Sequence, residues 1–251
     1  MPPRLGKLDV KSFGALAPTI DGYKTEPWVL KQAKILNLAF EVDDLSADNL
    51  VPPAMHPVIP AYTTMSISVY PDSSVGPFSI AEVRVMGRAG VRPRGFVLRS
   101  FVDNEAARRE LAARWGYPVA PGQIHLELRH DRVQARVTIE GKTALEIESI
   151  DRDVISGGDI QYVASMHLAR NKEDGKLVLV QIDPEYTFAK AERGRPRLIA
   201  MDESSWRADG HLKITNPISA SFATCDVTLP RIRYVCDPDR PAFQGTTKVA
   251  A

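Results

Sequence analysis

A strand, a capped helix and a turn follow one another in residues 95–120, GFVLRSFVDNEAARRELAARWGYPVA. Gly95–Val102 has the apolar and β-branched content of a strand. Asp103 is placed to cap a helix over Asn104–Trp115, and Gly116 is placed to end it in a left-handed conformation. This is the strongest helix signal in the chain, so the segment predicts a strand-rich fold that carries one substantial helix.

Strand patterns extend on both sides of this segment, and turn residues separate them. A β-meander of three period-two strands follows the helix, and a short helix is predicted over residues 43–50. The further predicted strands are residues 33–42, 62–70, 78–86, 124–128, 133–139, 144–150, 160–170, 176–182 and 219–234. No linker divides them. The sequence therefore predicts one β-rich α+β domain over residues 27–251, preceded by an N-terminal arm, residues 1–26, lying on the surface or on a neighbouring subunit.

The composition excludes several classes of function. The 251 residues are 44% hydrophobic and 25% charged, and the formal net charge is +1. A general binder of nucleic acid or of anionic membranes needs a marked basic excess, which this chain lacks. No apolar run is long enough for a transmembrane helix, and the first residues do not read as a signal peptide. We therefore expect a cytoplasmic protein whose partner is a small molecule.

The familiar local motifs of metal, nucleotide and hydrolase sites are missing. The chain has no Gly-x-Ser-x-Gly, His-Glu-x-x-His or Gly-x-Gly-x-x-Gly. His125 and His130 are five residues apart, which puts them on opposite faces of a strand. Cys225 and Cys236 do not form a Cys-x-x-Cys pair and are expected to be reduced, half-buried thiols. We expect no metal and no cofactor.

Five arginines cluster around the connection between the strands at residues 78–86 and 95–102. They are Arg84, Arg88, Arg92, Arg94 and Arg99. A solvated face is one interpretation of this cluster. The other is a rim that attracts an anionic substrate, such as a carboxylate.

Several segments in order resemble the acetoacetate decarboxylase-like superfamily. The resemblance is carried by residues 71–78 (PDSSVGPF), 95–96 (GF), 100–105 (SFVDNE), 109–111 (REL), 115–118 (WGYP) and 223–234, with weaker similarity over residues 33–53. It implies a β-cone or barrel with a flanking antiparallel sheet and few helices, which agrees with the independent strand count. It also implies a small-molecule active site inside the cone.

The same resemblance implies that the family's amine chemistry is lost here. Family decarboxylases carry Tyr-Pro-Lys-Lys, whose first lysine forms a Schiff base while the second lowers its pKa. In this chain Tyr117-Pro118 is followed by Val119 and Ala120, which we place as substrate-binding residues instead. The family's carboxylates on the facing strands fall at Ser66 and Ile80, which we also assign to substrate binding.

The leading hypothesis is therefore an enzyme that acts without an imine on an enolisable, β-keto or polyketide-like molecule. Cyclisation, dehydration, retro-aldol cleavage and decarboxylation are all open to it, as in secondary metabolism. Such a site needs a base and donors for an enolate oxygen. Glu82, two residues from Ile80 on the same strand face, is the expected base. Arg99 and Tyr117 are the expected donors, and His125 is the expected proton shuttle.

Two alternatives remain at this stage. The emptied cone could serve a non-catalytic protein that binds a small molecule. Less favoured is an imine-forming decarboxylase or aldolase in which Lys34 or Lys213 has replaced the lost lysine. In each case we expect a homo-oligomer, because Phe13, Leu16 and Trp28 offer apolar contacts near the N-terminus.

Overall fold

Strands dominate the computed structural model, which describes residues 4–250. The strands are β1 Thr19–Ile20, β2 Trp28–Val42, β3 His56–Pro57, β4 Tyr62–Tyr70, β5 Phe78–Ala89, β6 Arg92–Val102, β7 Val119–Pro121, β8 Gln123–Leu128, β9 Arg132–Ile139, β10 Lys142–Ile155, β11 Ser165–Asn171, β12 Leu177–Ile182, β13 Glu185–Met201, β14 Ile214–Leu229, β15 Tyr234–Cys236 and β16 Thr246–Lys248. The helices are α1 Val10–Phe13, α2 Asp44–Asp48, α3 Glu105–Trp115 and α4 Ala242–Gly245, with 3-10 turns at Gly14–Leu16, Gly157–Asp159 and Glu203–Trp206. The prediction of a β-rich α+β fold with few helices is confirmed. Across residues 4–250, no helix has the length and apolarity needed to cross a membrane.

The strands form one large, mixed sheet. Its path runs β16-β15-β12-β11-β6-β5-β4-β2-β14-β13-β10-β9-β8, with β1, β3 and β7 added at β11, β5 and β6. From β6 to β8 every neighbouring pair is antiparallel, whereas β11 and β7 join β6 in parallel. The meander expected after the main helix is present as β8, β9 and β10.

Alternation along β2, β4 and β5 separates the core from an internal cavity. Leu36, Leu38 and Phe40 of β2 enter the main hydrophobic core, while the intervening residues face the cavity. On β4, Met65 and Ile67 are core residues flanked by cavity-facing neighbours. Successive side chains of a strand point to opposite faces, so these three strands have an apolar side and a cavity side.

Helix α3 is close to its predicted position, but a different residue caps it. Asn104 accepts a hydrogen bond from the Ala107 amide at 3.0 Å, so Asn104 and not Asp103 is the N-cap. The Asp103 carboxylate accepts from the Ser79 amide at 2.7 Å and ties the helix start to β5. Gly116 has φ 66° as predicted, and a Cβ there would stand 2.6 Å from the Ala169 Cβ.

Three strand predictions need correction. Residues 219–234 were expected to form one strand, but β14 ends at Leu229 and β15 begins only at Tyr234. The residues before Ser165 were expected to belong to a strand, but 160–164 form a connection that lies over the cavity. The 17-residue strand β13 was not predicted. It is highly charged and contains Gly194 and Pro196, so it lacks the apolar alternation of a half-buried strand.

The N-terminal segment packs on its own chain. Val10, Phe13 and Ile20 are buried in the two cores, and β1 pairs with β11. Trp28 is also buried and stacks on Trp115, with 5.9 Å between the ring centroids. Of the three residues expected to contact another subunit, Leu16 alone is exposed, at 65%. The reason given for an oligomer is therefore wrong for Phe13 and Trp28.

Candidate functional site

One cavity of about 510 Å³ runs along the inner faces of four adjacent strands, β5, β4, β2 and β14. Residues from α3, from the connection at 161–163 and from the start of β13 complete its wall. Cavities of this size hold small organic molecules. Its lining includes Glu41, Ser66, Tyr70, Ile80, Glu82, Arg84, Tyr117, Tyr162, Tyr186 and Ile218.

Strand register arranges the lining in layers. Tyr62 pairs with Glu41 at one end, where Ile59 and Ile218 are exposed, so this end is the mouth. At the other end Tyr70 pairs with Phe78, and both are buried. The middle layer contains Ser66, paired with both Asn37 and Glu82. The polar groups able to act on a ligand therefore lie halfway between an open mouth and an apolar closed end.

The central polar group is a buried ion pair. Glu82 is 4% exposed, and one carboxylate oxygen accepts a hydrogen bond from Arg84 of the same strand. The other oxygen accepts from the Ser100 hydroxyl at 3.3 Å. Burial is the largest single influence on the pKa of Arg84 and lowers it, but the Glu82 carboxylate, together with Tyr186 and Tyr117, raises it, and the net result is a pKa above the usual value. Arg84 also donates to the Val163 carbonyl at 3.2 Å, which fixes its guanidinium in the cavity wall.

Tyrosines surround the ion pair. Burial raises the pKa of Tyr117, Tyr70 and Tyr186, and for Tyr117 the Glu82 carboxylate raises it further. Tyr162, whose pKa burial also raises, packs edge-on against Tyr186 with 5.0 Å between centroids. These phenols remain protonated at neutral pH and are therefore hydrogen-bond donors.

His167, on β11, stands behind Tyr117 and was missed by the sequence analysis. It is fully buried, and its ring lies 4.0 Å from the Tyr117 ring, centroid to centroid. Its Nδ1 is 3.0 Å from the Trp115 carbonyl, so Nδ1 carries the hydrogen and Nε2 is an acceptor. Within residues 4–250 Nε2 has no hydrogen-bond partner. Burial lowers the pKa of His167 to about 4, although Glu82 opposes the effect, so the ring is neutral at pH 7.

Four of the eight predicted site residues line the cavity. Ser66 faces it from β4, Ile80 and Glu82 from β5, and Tyr117 from the turn after α3. Glu82, Tyr117 and Ser66 bring an acid, a phenol and a hydroxyl to the same enclosed space. All four were assigned to the site because they lie at or next to positions that are functional in the family the sequence resembles.

The other four predicted residues lie outside the cavity. Arg99 alternates with Ser100 on β6, and because Ser100 pairs with Glu82, Arg99 points to the opposite face. There it donates to the Ser205 carbonyl at 3.3 Å and packs on Phe101. His125 is exposed on strand β8 and does not line the cavity. Val119 and Ala120 are on β7 and pack against the hydrophobic cores.

The charged candidates with other proposed roles are dispersed. No lysine lies among the cavity-lining residues in the described part of the chain, and Lys34 and Lys213 are exposed. In the arginine cluster, Arg84 enters the cavity, Arg94 pairs with Asp183 at 3.2 Å, and Arg88 and Arg92 are exposed. Within residues 4–250, no three His, Cys, Asp or Glu side chains gather as a metal site would require.

Comparison with known proteins identifies the family. The family described as acetoacetate decarboxylase (ADC) matches residues 16–238, and the chain belongs to it. No curated protein sequence matches significantly. An acetoacetate decarboxylase from Legionella pneumophila has a similar structure, with TM-score 0.70, 18% identity, and coverage of 84% of this chain and 88% of that one.

Two further solved structures show the range of proteins with this fold. The enduracididine biosynthesis enzyme MppR, complexed with pyruvate, matches with TM-score 0.67 and 16% identity over 82% of this chain and 89% of that one. An acetoacetate decarboxylase-like enzyme from Sphingomonas wittichii RW1 matches with TM-score 0.65 and 12% identity over 90% and 94%. The fold of these enzymes is therefore the fold of this chain.

Proposed function

We propose that this protein is an enzyme that enolises a small ketone without forming an imine. The observation that carries the proposal is the buried Glu82 carboxylate, which lines the cavity beside Arg84 and Tyr117. The lining contributes no lysine in residues 4–250, and Glu82 is the carboxylate in the middle layer of the cavity, so it is the group placed to take a proton from a bound ketone.

The step is a proton transfer from carbon to Glu82. The C–H bond next to the ketone breaks, the proton goes to the carboxylate, and the electron pair moves onto the carbonyl oxygen as an enolate. Tyr117 and Arg84 donate hydrogen bonds to that oxygen. The negative charge moves from one partner of Arg84 to another, so the net charge of the site is unchanged. The enolate then takes back a proton, expels a leaving group, or attacks a second carbonyl in a cyclisation.

Deuterium exchange tests this step without knowledge of the natural substrate. The probe is the methyl ester of β-benzoylpropionate, a stable aryl ketone small enough for the cavity. In D₂O the wild type should incorporate deuterium next to the ketone faster than buffer does, and Glu82→Gln should reduce the rate by roughly 100-fold or more.

Glu148→Gln is the matched control for that experiment. Glu148 is a buried carboxylate on β10, paired with Arg197 at 2.8 Å and absent from the cavity lining. Exchange should therefore remain at the wild-type rate in this variant. Wild-type exchange no faster than in buffer, or exchange unaffected by Glu82→Gln, would contradict the proposal.

A small-molecule-binding protein is the second candidate function. It is favoured by the existing partners of Glu82, since Arg84 and Ser100 already occupy both carboxylate oxygens. Such a protein would hold the ester without exchanging it. A ligand retained unchanged through purification would also support this alternative.

We further propose a homo-oligomer. The described surface carries exposed apolar side chains at the β5–β6 turn and at α4, where Val91 is 92% and Phe243 is 66% exposed. Contact between copies would bury such residues. Light scattering at micromolar concentration should give a mass above that of one chain, and a monomer would contradict this part of the proposal.

A further inference from the structure

The charges that face the cavity disfavour negatively charged substrates. Among its lining residues in 4–250, the groups charged at neutral pH are Glu41, Glu82 and Arg84, which sum to −1. The remaining polar lining groups are amides, hydroxyls and phenols, and the buried phenols are protonated at neutral pH. His167, behind Tyr117, adds no positive charge because its ring is neutral.

The single cation of the cavity is already neutralised. Arg84 donates to Glu82 and to the Val163 carbonyl. Because Arg84 is the one cation among the described lining residues, a carboxylate ligand would compete with Glu82 for its charge, and one of the two buried carboxylates would then lack a countercharge. Removing one partner of a buried ion pair is strongly unfavourable.

The mouth does not attract anions either. Glu41 lies there and accepts a hydrogen bond from Asn216 at 2.8 Å. The adjoining surface groove contains Arg193, but Asp159 shares that groove and balances its charge. A site that steers anions presents an excess of positive charge along the approach, and this one does not.

We propose that the cavity is selective for neutral ketones, including esters of keto acids, and rejects free carboxylates, with the Glu82–Arg84 pair as the determinant. The apolar closed end suits an aryl or alkyl group, and the phenols and hydroxyls around the pair suit carbonyl and hydroxyl oxygens. The inference rests on the proposed function in treating this cavity as the substrate site. The new element is the class of molecule that enters the cavity, namely neutral ketones.

The test compares two ligands that differ mainly in charge, β-benzoylpropionate and its methyl ester. Calorimetric titration of the full-length protein at pH 7.5 should show the ester binding at least tenfold more tightly than the acid. In Glu82→Gln the freed Arg84 should bind the carboxylate directly, so affinity for the acid should rise at least tenfold. Glu148→Gln should keep the wild-type preference, because it removes a buried carboxylate outside the cavity.

A second measurement uses the wild type alone, so it remains informative if Glu82→Gln does not fold. As pH falls from 7.5 to 5.5, a growing fraction of the acid is protonated, so its apparent affinity should rise while that of the ester stays constant. Equal or tighter binding of the acid at pH 7.5, or failure of the ester to bind, would overturn the inference. Selective binding of the ester without deuterium exchange would refute the proposed enolisation and leave the substrate class standing.

Discussion

The imidazole of His167 packs against the ring of Tyr117 with 4.0 Å between their centroids, and neither residue exposes more than 4% of its surface. The contact joins β11 to the residue that follows α3. It fixes the phenol that faces Glu82, and it places a neutral titratable ring within the electrostatic reach of the cavity.

This contact predicts a pH-dependent stability. The pKa of His167 is lowered from 6.5 to about 4 in the folded protein, chiefly by burial. Below pH 6.5 the unfolded chain takes up a proton that the folded chain refuses, so stability falls as pH decreases to about 4 and then levels off. The loss from this residue should be on the order of 3 kcal/mol.

Urea unfolding at a series of pH values measures this effect. His167→Gln should flatten the profile between pH 6.5 and 4, whatever its effect on stability at pH 7. His125→Gln removes an exposed histidine and should leave the profile unchanged. A wild-type slope that survives in His167→Gln would show that other groups produce it.

Tyr117→Phe tests the donor role of the phenol. The variant retains the ring contact with His167 and removes only the hydroxyl. Loss of one donor to an enolate oxygen should slow deuterium exchange of the ester by about 100-fold. Tyr23→Phe, at a half-buried tyrosine outside the cavity, is the control and should exchange at the wild-type rate. Full activity of Tyr117→Phe would remove this residue from the mechanism.

Substitution of the two candidate lysines tests the relocated-imine alternative. Lys34 and Lys213 are exposed and do not line the cavity. Lys34→Arg and Lys213→Arg should therefore exchange the ester at the wild-type rate. A loss of exchange in either variant, with folding intact by near-ultraviolet circular dichroism, would assign the chemistry to that lysine.

Asn104→Ala tests the local structure that positions Tyr117. Loss of the cap of α3 should lower the free energy of unfolding by about 1 kcal/mol, as measured by urea titration. Substitution of the exposed Glu105, one position further on, should change stability less, since it leaves the cap intact. An unchanged midpoint in Asn104→Ala would mean that the cap does not stabilise the helix.

Local patterns were sufficient for most of the fold. β4 was predicted with its observed ends, Tyr62 and Tyr70, because hydroxyl and apolar residues alternate along it. The end of α3 at Gly116 was also predicted, because glycine readily adopts the positive φ that such a helix end requires. β13 could not be predicted in the same way, since its charged side chains pair with those of neighbouring strands, as Glu192 does with Arg152.

The site was only partly predictable, because strand facing depends on register. The sequence alone allowed Arg99 to be a donor in the cavity. In the structure Ser100 pairs with Glu82, so the neighbouring Arg99 points to the opposite face of the sheet. Arg84 is two residues from Glu82 on β5, and this spacing, which puts both side chains on one face of a strand, could have identified Arg84 as a site residue. His167 comes from β11, whose parallel contact with β6 no local pattern shows.

Borohydride trapping shows whether any lysine of this protein forms an imine with a ketone. Wild-type protein is incubated with the ketone ester, and separately with pyruvate and acetoacetate, then reduced with borohydride and weighed by intact-mass spectrometry. We predict that deuterium exchange of the ester proceeds while the protein mass stays unchanged with every ketone. A ketone-dependent adduct mapped to a lysine would contradict it and would show that the chain forms a Schiff base.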